Sequence, residues 1–290
     1  MAAGFGLPSQ AALVADAVAV GRRLGLVVDA PVVLRDSLNL VVWLRPAPVV
    51  ARVQVRTGLV RDPDAAADSL ALAGYLAARG LPVSPPAGGI DPGPHVGTTG
   101  QTMTLWRRLE IDREPADPAV CGSSLRRLHE EAAGFDGPLR HVGPVEEIGR
   151  LAEVLRPLLP EEAARLLEMR SRLNLPDGAV QALHGDAHLG NVVLTPRGVC
   201  WLDWEESWRG PIAWDLACLA HRRATYGQIA AETDRAFAGY GPHDADAVNP
   251  WLPAVALWAG AWGLVGEAEG LGWSEQARRR LAWVEERLGG

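Results

Sequence analysis

The sequence predicts an α+β fold with two lobes, a small β-rich lobe over residues 1–108 and a larger, mainly helical lobe over residues 109–290. Short runs of β-branched and apolar residues, separated by turns that contain Pro, Gly or Asp, dominate the first third of the chain. Beyond Trp106 the apolar residues recur at helical spacing, and from Pro211 onward this pattern is almost continuous. This change of pattern separates the two lobes.

The first lobe is expected to begin with a helix and to continue as short strands around a second helix. Ser9 is a suitable N-cap for a helix over residues 10–24, and Gly25 ends it. Asp62 followed by Pro63 is the typical start of a helix, here the second one. The strands are predicted at residues 31–34, 38–44, 49–55, 81–84 and 101–105, with a Pro- and Gly-rich loop between the last two.

The second lobe is expected to be helical except around one loop. Helices are predicted at residues 117–129, within 144–173 with a break near Pro160, at 251–265 and at 274–288. Short strands are predicted at residues 180–183, 192–194 and 199–202. The first two strands bracket a loop from His184 to Asn191, so a strand is expected to hold each end of that loop.

Composition is that of a globular protein without a membrane span. The chain is 48% hydrophobic and 22% charged, and no apolar run approaches the roughly 18 residues that suggest a spanning helix. The first residues lack the basic region of a signal peptide. The three cysteines are far apart and odd in number, so they form neither a disulfide framework nor a metal-ligand cluster. We therefore expect a cytoplasmic protein with no membrane partner.

The charge distribution bears on binding partners. The net charge of −7 argues against nucleic acid, whose phosphate backbone requires a basic surface. Residues 201–290 contain 13 acidic residues and 8 arginines, a net charge of −5. This excess either attracts a cationic substrate or reflects solvated acidic helix faces. All 28 basic residues are arginine, because the sequence contains no lysine.

One loop carries the spacing of a phosphoryl-transfer site. His184, Asp186 and Asn191 reproduce the pattern H-x-D-x-x-x-x-N, in which the aspartate is the catalytic carboxylate and the asparagine binds metal. Asp203 stands 17 residues beyond Asp186, at the end of an apolar β run, where a second metal-binding carboxylate is needed. A carboxylate must orient the attacking hydroxyl, and oxygen ligands must hold Mg²⁺ against ATP. The pattern therefore predicts a kinase.

These residues resemble a known family. The segments His184–Asn191, Asp203–Glu205 and Gly210–Ala217 are similar to the signatures H-G-D-x-H-x-x-N, D-[WF]-[ED] and D-L-A of the aminoglycoside phosphotransferase and choline kinase family. The resemblance implies a protein-kinase-like fold of two lobes that uses ATP and Mg²⁺ to phosphorylate hydroxyl groups of small molecules. It also implies a role for each residue of the signatures.

By this resemblance Asp186 is the catalytic aspartate, and Asn191 and Asp203 are the Mg²⁺ ligands. Asp215, in the third signature, is expected to be a buried brace for the catalytic loop. The acceptor is then expected to lie among the helices of residues 204–290, beside Asp186.

The resemblance is weaker in the first lobe. Kinases place a lysine on the third strand against the phosphates, and the residue at that place here is Arg52, whose guanidinium can pair with phosphate through two parallel hydrogen bonds. Leu105 and Trp106 are expected to contact the adenine. The glycine-rich loop is not recognisable, so Ser37 and Asn39 are the candidates for the turn over the phosphates.

His184 and His188 are expected to orient the loop backbone rather than to react. The alternative makes both histidines and Asp186 ligands of a hydrolytic metal centre. Such a centre needs further ligands, and the other histidines lie in unrelated sequence contexts: His95, His129, His141, His221 and His243.

The sequence leaves the acceptor open. An aminoglycoside-like antibiotic is one candidate, and an ordinary metabolite (a sugar, a choline-like alcohol or an amino alcohol) is the other. A nucleotide-binding pseudokinase is the non-catalytic alternative, because the usual lysine is absent. Trp251, Trp258 and Trp262 fall on one helical stripe, which favours a place in the core over a sugar-stacking platform.

Overall fold

The first lobe contains a five-stranded antiparallel sheet and two helices. The structure, a computed structural model, describes residues 4–140, 142–227 and 229–289. The strands are β1 (Val32–Asp36), β2 (Asn39–Trp43), β3 (Val49–Gln54), β4 (His95–Val96) and β5 (Thr102–Arg107), in the spatial order β1-β2-β3-β5-β4. Helix α1 (Gln10–Arg23) packs on β2 and β3, and helix α2 (Pro63–Ala78) packs on β5. The Ser9 side chain caps α1 as predicted.

Alternation along the strands gives the sheet two different faces. The side chains on one face are fully buried in the first-lobe core, among them Leu40, Val42, Ala51 and Val53. Val50 and Arg52 lie on the other face, which borders the cavity between the lobes. A cation on β3 is therefore directed into this cavity.

The second lobe is mainly helical. Its helices are α3 (Pro118–Ala132), α4 (Pro144–Leu155), α5 (Pro160–Ser171), α6 (Ile212–Tyr226), α7 (Ala230–Tyr240), α8 (Ala245–Val248), α9 (Leu252–Ala268) and α10 (Ser274–Gly289). Two small antiparallel sheets pair β6 (Gln181–Leu183) with β9 (Trp208–Gly210) and β7 (Val192–Thr195) with β8 (Gly198–Trp201). Helix α9 is buried along nearly its whole length, against α4, α6 and α10. The predicted α+β fold with a β-rich and a helical lobe is confirmed.

Two local predictions are wrong, and one strand was not predicted. Residues 81–84 form no strand of the sheet, because the backbone there bonds to the second lobe: Trp201 N–H donates to Pro82 O and Ser84 N–H donates to Trp201 O, each at 2.8 Å. The loop predicted between residues 85 and 100 contains β4. The strand β9 was not predicted. The segment at residues 81–84 and β9 bond to partners distant in the sequence, whereas β4 forms a short hairpin with β5.

A cavity of about 1030 Å³ lies between the lobes. The sheet of the first lobe forms one wall, and the loops that follow β6 and β8 form another. Helices α6, α9 and α10 close the far end. In the described part of the chain, no helix is long and apolar enough to cross a membrane.

Candidate active site

The loop that follows β6 is held by a buried carboxylate. Asp215, in the first turn of α6, accepts hydrogen bonds from the backbone N–H groups of His184 (3.0 Å) and Gly185 (2.8 Å). The Nε2 atom of His129 lies 3.1 Å from the same carboxylate. Gly185 has φ +86°, and a Cβ there would stand 2.0 Å from the backbone oxygen of Glu206. Only glycine fits at this position, so the backbone conformation of the loop requires the glycine in the sequence H-G-D.

The two loop histidines contact backbone groups. His184 is buried, its Nε2 lies 2.8 Å from Leu202 O, and its Nδ1 accepts from the Asp186 N–H at 3.3 Å. Burial lowers the pKa of His184, so the imidazole is neutral. The Nδ1 atom of His188 accepts from the Gly190 N–H at 2.9 Å. Its Nε2 therefore faces Asp186, 3.4 Å from Oδ2.

Asp186 is the carboxylate at the centre of the loop. The Asn191 side-chain amide donates to its Oδ2 (3.0 Å) and to its backbone oxygen (2.9 Å). Burial opposes ionisation, but the charge and hydrogen bond of His188, together with the smaller effects of His184 and His221, outweigh it and hold the pKa of Asp186 well below its usual range. The same interaction raises the pKa of His188 in spite of its burial. Asp186 is thus an ionised carboxylate that accepts hydrogen bonds.

Asp203 lies two residues after the end of β8 and has an uncommon backbone conformation. Its φ of +66° is in the left-handed region, which non-glycine residues adopt rarely and mostly at functional sites. Its Oδ1 atom is buried and lies 2.5 Å from Arg52 Nη2, without the alignment of a hydrogen bond. Asp203 and Arg52 both line the cavity, so this carboxylate meets a guanidinium at the cavity wall.

Arg52 bridges two carboxylates of the second lobe. Besides Asp203, its Nη2 contacts Glu205 Oε1 (2.6 Å), and its Nε donates to Glu205 Oε2 (3.1 Å). Burial disfavours the cation, but the two carboxylates outweigh this effect and raise the pKa of Arg52 further. The sequence predicts no partner for Arg52, although Glu205 stands in the D-W-E signature two residues after Asp203. The short separation of Asp203 and Glu205 in the sequence was therefore the available indication that Glu205 also lies near Arg52.

The other residues predicted to bind the nucleotide differ in whether they line the cavity. Ser37, Asn39 and Trp106 line the cavity, whereas the Leu105 side chain is fully buried in the first-lobe core. The backbone N–H and C=O of Leu105 are both hydrogen-bonded within the first lobe. The Asn39 amide donates to Glu205 Oε1 at 2.5 Å. Asn39 is thus a contact between the lobes, and Leu105 is separated from the site by its neighbours.

A buried ion network, not predicted from the sequence, lies below the cavity. Arg61 contacts Glu147 (Nε–Oε1, 2.7 Å) and Glu206 (Nη2–Oε2, 2.6 Å), and Arg140 contacts both carboxylates at 3.2 Å. Trp258 Nε1 donates to Glu147 Oε2 at 2.7 Å. Burial raises the pKa of Glu206, while the two arginines outweigh burial and lower the pKa of Glu147. The network joins the two lobes beneath the site.

Aromatic and basic side chains line the far end of the cavity, in the second lobe. They are His221, Arg222, Tyr226, Trp258, Trp262, Trp273, Arg279 and Arg280. Trp258 and Trp262 are buried, so they belong to the core and also form part of the wall. The sequence does not identify these arginines, because an arginine on a helix is ordinarily solvated.

No group of three or more His, Cys, Asp and Glu side chains is arranged to hold a metal ion among the described residues. His141, one of the histidines considered above, lies outside those residues.

Solved structures similar to this one share its fold. Amicoumacin kinase in complex with AMP-PNP, Ca²⁺ and Ami has a TM-score of 0.68 at 12% identity, over 94% of this chain and 93% of that chain. Choline kinase LicA from Streptococcus pneumoniae has a TM-score of 0.61 at 16% identity, over 91% and 98%. A microcompartment-associated aminopropanol kinase has a TM-score of 0.60 at 15% identity, over 94% and 95%. No curated protein matches the chain significantly.

Sequence similarity shows the family directly. A family model described as the phosphotransferase enzyme family (APH) matches residues 30–251, well over half of the chain. The match includes Arg52, the catalytic-loop residues Asp186 and Asn191, and Asp203. The prediction of a small-molecule phosphotransferase is confirmed at this level. The chain belongs to the phosphotransferase enzyme family.

Proposed function

We propose that the protein transfers the γ-phosphoryl group of ATP, with Mg²⁺, to a hydroxyl group of a small molecule. The observation that carries this proposal is the arrangement of Asp186, Asn191 and Asp203, which line one cavity opposite Arg52. A carboxylate for the hydroxyl, oxygen ligands for a metal and a cation for the phosphates are the groups that phosphoryl transfer requires. The same arrangement supports an active enzyme over a pseudokinase.

Asp186 performs the proton transfer in this proposal. Its ionised carboxylate accepts a hydrogen bond from the acceptor hydroxyl and turns the hydroxyl oxygen toward the γ-phosphorus. As the new O–P bond forms, the bond to the bridging oxygen of ADP breaks and the hydroxyl proton passes to Asp186. The contacts from Asn191 and His188 hold the carboxylate in position during this step.

Asn191 and Asp203 fit the Mg²⁺ ion that the family resemblance implies. The Asn191 amide nitrogen is used by Asp186, so its side-chain oxygen is the atom left for a metal. Asp203 lines the same cavity, and its Oδ1 atom is buried against the Arg52 guanidinium, 2.5 Å from Nη2. Oxygen donors suit Mg²⁺, whose remaining ligands ordinarily come from water and substrate phosphates. When bound, the ion neutralises charge on the phosphates.

The nucleotide is proposed to lie along the sheet of the first lobe. Arg52 and the turn at Ser37 and Asn39 border the place for the phosphates, and Trp106 borders the place for the adenine. The Leu105 side chain is buried in the first-lobe core.

An ordinary metabolite suits the site better than an aminoglycoside-like antibiotic. The acidic residues that favour a polycation are already paired: Glu205 with Arg52, and Glu206 with Arg61. Little unpaired negative charge therefore remains to attract several ammonium groups.

A Mg²⁺-dependent ATP turnover assay with neutral, cationic and anionic hydroxyl compounds tests the proposed function. The variant Asp186→Asn is expected to lower kcat on the order of 10²–10⁴-fold, because a positioned acid–base group is removed. Its affinity for Mg-ATP, measured by calorimetry, is expected to stay at the parental value. Asp136→Asn, at an exposed aspartate, is the matched control.

Turnover of Asp186→Asn within about tenfold of the parent would remove Asp186 from the mechanism. If the parent binds Mg-ATP but shows no turnover with any of the hydroxyl compounds, the pseudokinase is the correct alternative.

A further inference from the structure

The far end of the cavity carries three arginines that lack an acidic partner. Arg222 on α6 and both Arg279 and Arg280 on α10 line the cavity. In the described part of the chain, none of the three forms an ion pair with a carboxylate. The adjacent Arg278 does not line the cavity and pairs with Glu267. The unneutralised positive charge is therefore on the cavity side of α10.

Arg280 is the most enclosed of the three. Its Nε atom is buried and has no hydrogen-bond partner among the described residues. The guanidinium groups of Arg280 and Arg279 lie 5.4 and 5.1 Å from the ring centroid of Tyr226, so both make cation–π contacts with the same ring. Burial lowers the pKa of Arg280, and Arg222 lowers it further. A guanidinium with an unsatisfied, buried N–H costs free energy that an anionic ligand recovers.

Three further arginines, Arg35, Arg107 and Arg108, line the first-lobe side of the cavity, where the nucleotide is proposed to lie. Arg52 also lines the cavity, and it is bound by Asp203 and Glu205. On the second-lobe side of the cavity, where the acceptor is proposed to lie, the far end thus offers an anion guanidinium groups without displacing a protein carboxylate.

Acidic side chains at the far end are few. Within the described residues, Asp186 and the exposed Glu275 are the carboxylates that line it. The His188 ring, whose Nε2 lies 3.4 Å from Asp186 Oδ2, is 6.3 Å from the ring of His221, the residue that precedes Arg222 on α6. A small molecule can therefore reach Asp186 and the arginines together. The indole rings beside them offer apolar surface for its carbon skeleton: Trp258, Trp262 and Trp273.

We propose that the acceptor is a hydroxyl compound that also carries an anionic group, a carboxylate or a phosphate. The anionic group binds Arg222, Arg279 and Arg280, and the hydroxyl lies at Asp186. This assignment rests on the proposed function, because it takes Asp186 as the group that receives the hydroxyl. It makes the acceptor opposite in charge to aminoglycosides and choline.

The test compares four benzyl alcohols that differ in their para group: a carboxylate, a phosphate, an uncharged hydroxymethyl group and an aminomethyl cation. Binding to the full chain is followed through tryptophan fluorescence, without ATP. The carboxylate or the phosphate probe is expected to bind about tenfold or more tightly than the uncharged probe. Comparison of the carboxylate probe with the phosphate probe shows which anionic group the site prefers. Arg280→Gln combined with Arg222→Gln is expected to bring all affinities within about twofold of one another.

Arg278→Gln is the matched control, since this residue lies on the same helix and does not line the cavity. Arg280→Lys is expected to fold and to keep part of the preference, because an ammonium retains the charge without the guanidinium geometry. The unfolding midpoint of each variant is measured in parallel.

Three results would overturn the assignment: equal or tighter binding of the uncharged or cationic probe, no binding of any probe, or an anion preference that survives in Arg280→Gln with Arg222→Gln. Loss of Mg-ATP affinity in that double variant would also overturn it, because the arginines would then bind the nucleotide. Since the titration contains no ATP, a failure of the proposed function leaves the measured anion preference unchanged and is recognised separately, by absent Mg-ATP binding or turnover.

Discussion

At the scale of single residues, Arg52 shows how a kinase-like cleft is built without lysine. A lysine on this strand ordinarily pairs with a helix glutamate, but Arg52 pairs with Asp203 and Glu205 from the segment after β8. A guanidinium has five N–H donors in a rigid fork, so it can bind two carboxylates and still present donors to a phosphate. A lysine ammonium has three donors on one atom and matches this geometry less well.

Arg52→Ala is expected to raise the KM for ATP and to lower kcat/KM about 10- to 100-fold, since it removes charge-assisted hydrogen bonds and leaves two carboxylates close together. Arg52→Lys is expected to recover part of the loss. Steady-state kinetics at varied ATP measure both. Arg45→Ala, at an exposed arginine of the same lobe, is the control. Parental ATP kinetics in Arg52→Ala would show that another cation holds the phosphates.

At the scale of elements, buried polar side chains fix how the segments pack. Asp16, on α1, accepts hydrogen bonds from the backbone N–H groups of Thr98 (3.0 Å) and Thr99 (2.8 Å) and from both hydroxyls (2.6 Å each). Gly97 allows this contact, because a Cβ there would stand 2.3 Å from Asp16 Oδ2. In the sequence, Asp16 is only an interruption of an apolar helix face. In the structure it ties α1 to the loop between β4 and β5.

The Asp16 contact predicts a pH dependence of stability. Burial raises the pKa of Asp16, but the bonds from Thr98 and Thr99 outweigh burial and lower it to about 2. Because the folded-state pKa is depressed, the contact stabilises fully above the unfolded-state pKa of about 4 and is lost as pH falls through about 2. Asp16→Asn is expected to reduce the free energy of unfolding by about 1–2 kcal/mol at pH 7.

Urea unfolding of the parent and of Asp16→Asn, at neutral pH and near pH 2, measures the difference between them. Asp29→Asn, at an exposed aspartate, is the control. The difference is expected to shrink at low pH, and one that stays constant would contradict the assignment.

The buried ion network gives a second prediction at this scale. Glu147→Gln leaves Arg61 and Arg140 with too little negative charge and is expected to cost about 3–5 kcal/mol in the free energy of unfolding. Glu206→Gln is expected to cost less, because burial raises the pKa of Glu206 and thus already favours its neutral form. Urea unfolding ranks the two variants against Glu153→Gln, an exposed glutamate of α4. The reverse ranking would show that Glu206 carries the essential charge.

At the scale of the whole molecule, polar contacts across the cleft hold the lobes together. Arg52 and Asn39 reach Glu205, Arg61 reaches Glu206, and the Ser84 backbone reaches β8. A ligand that binds in the cavity therefore touches both lobes, and its binding is expected to stabilise the fold as one unit.

Mg-ATP is expected to stabilise the protein by about 2.7 kcal/mol at a concentration of about 100 times its Kd. For a chain of this size the unfolding midpoint is expected to rise by roughly 5–8 °C. Thermal unfolding with ATP and Mg²⁺ is compared with thermal unfolding with ATP and EDTA. The difference between the two midpoints is the metal-dependent part of the stabilisation. Asp203→Ala is expected to abolish that part, since it removes an anionic oxygen ligand, whereas Asp136→Ala keeps it. A full metal-dependent shift in Asp203→Ala would contradict the metal assignment.

The sequence by itself predicted the loop from His184 to Asn191 and most of the helices and strands. Asp186 and Asn191 are five residues apart, so a local motif reports their chemistry, and caps such as Ser9 report helix ends. Only the tertiary structure decided which distant groups meet. The pairing of Arg52 with Glu205 joins residues 153 positions apart. Neither that pairing nor the side of α10 that faces the cavity is encoded in local periodicity, because the packing of other elements selects both.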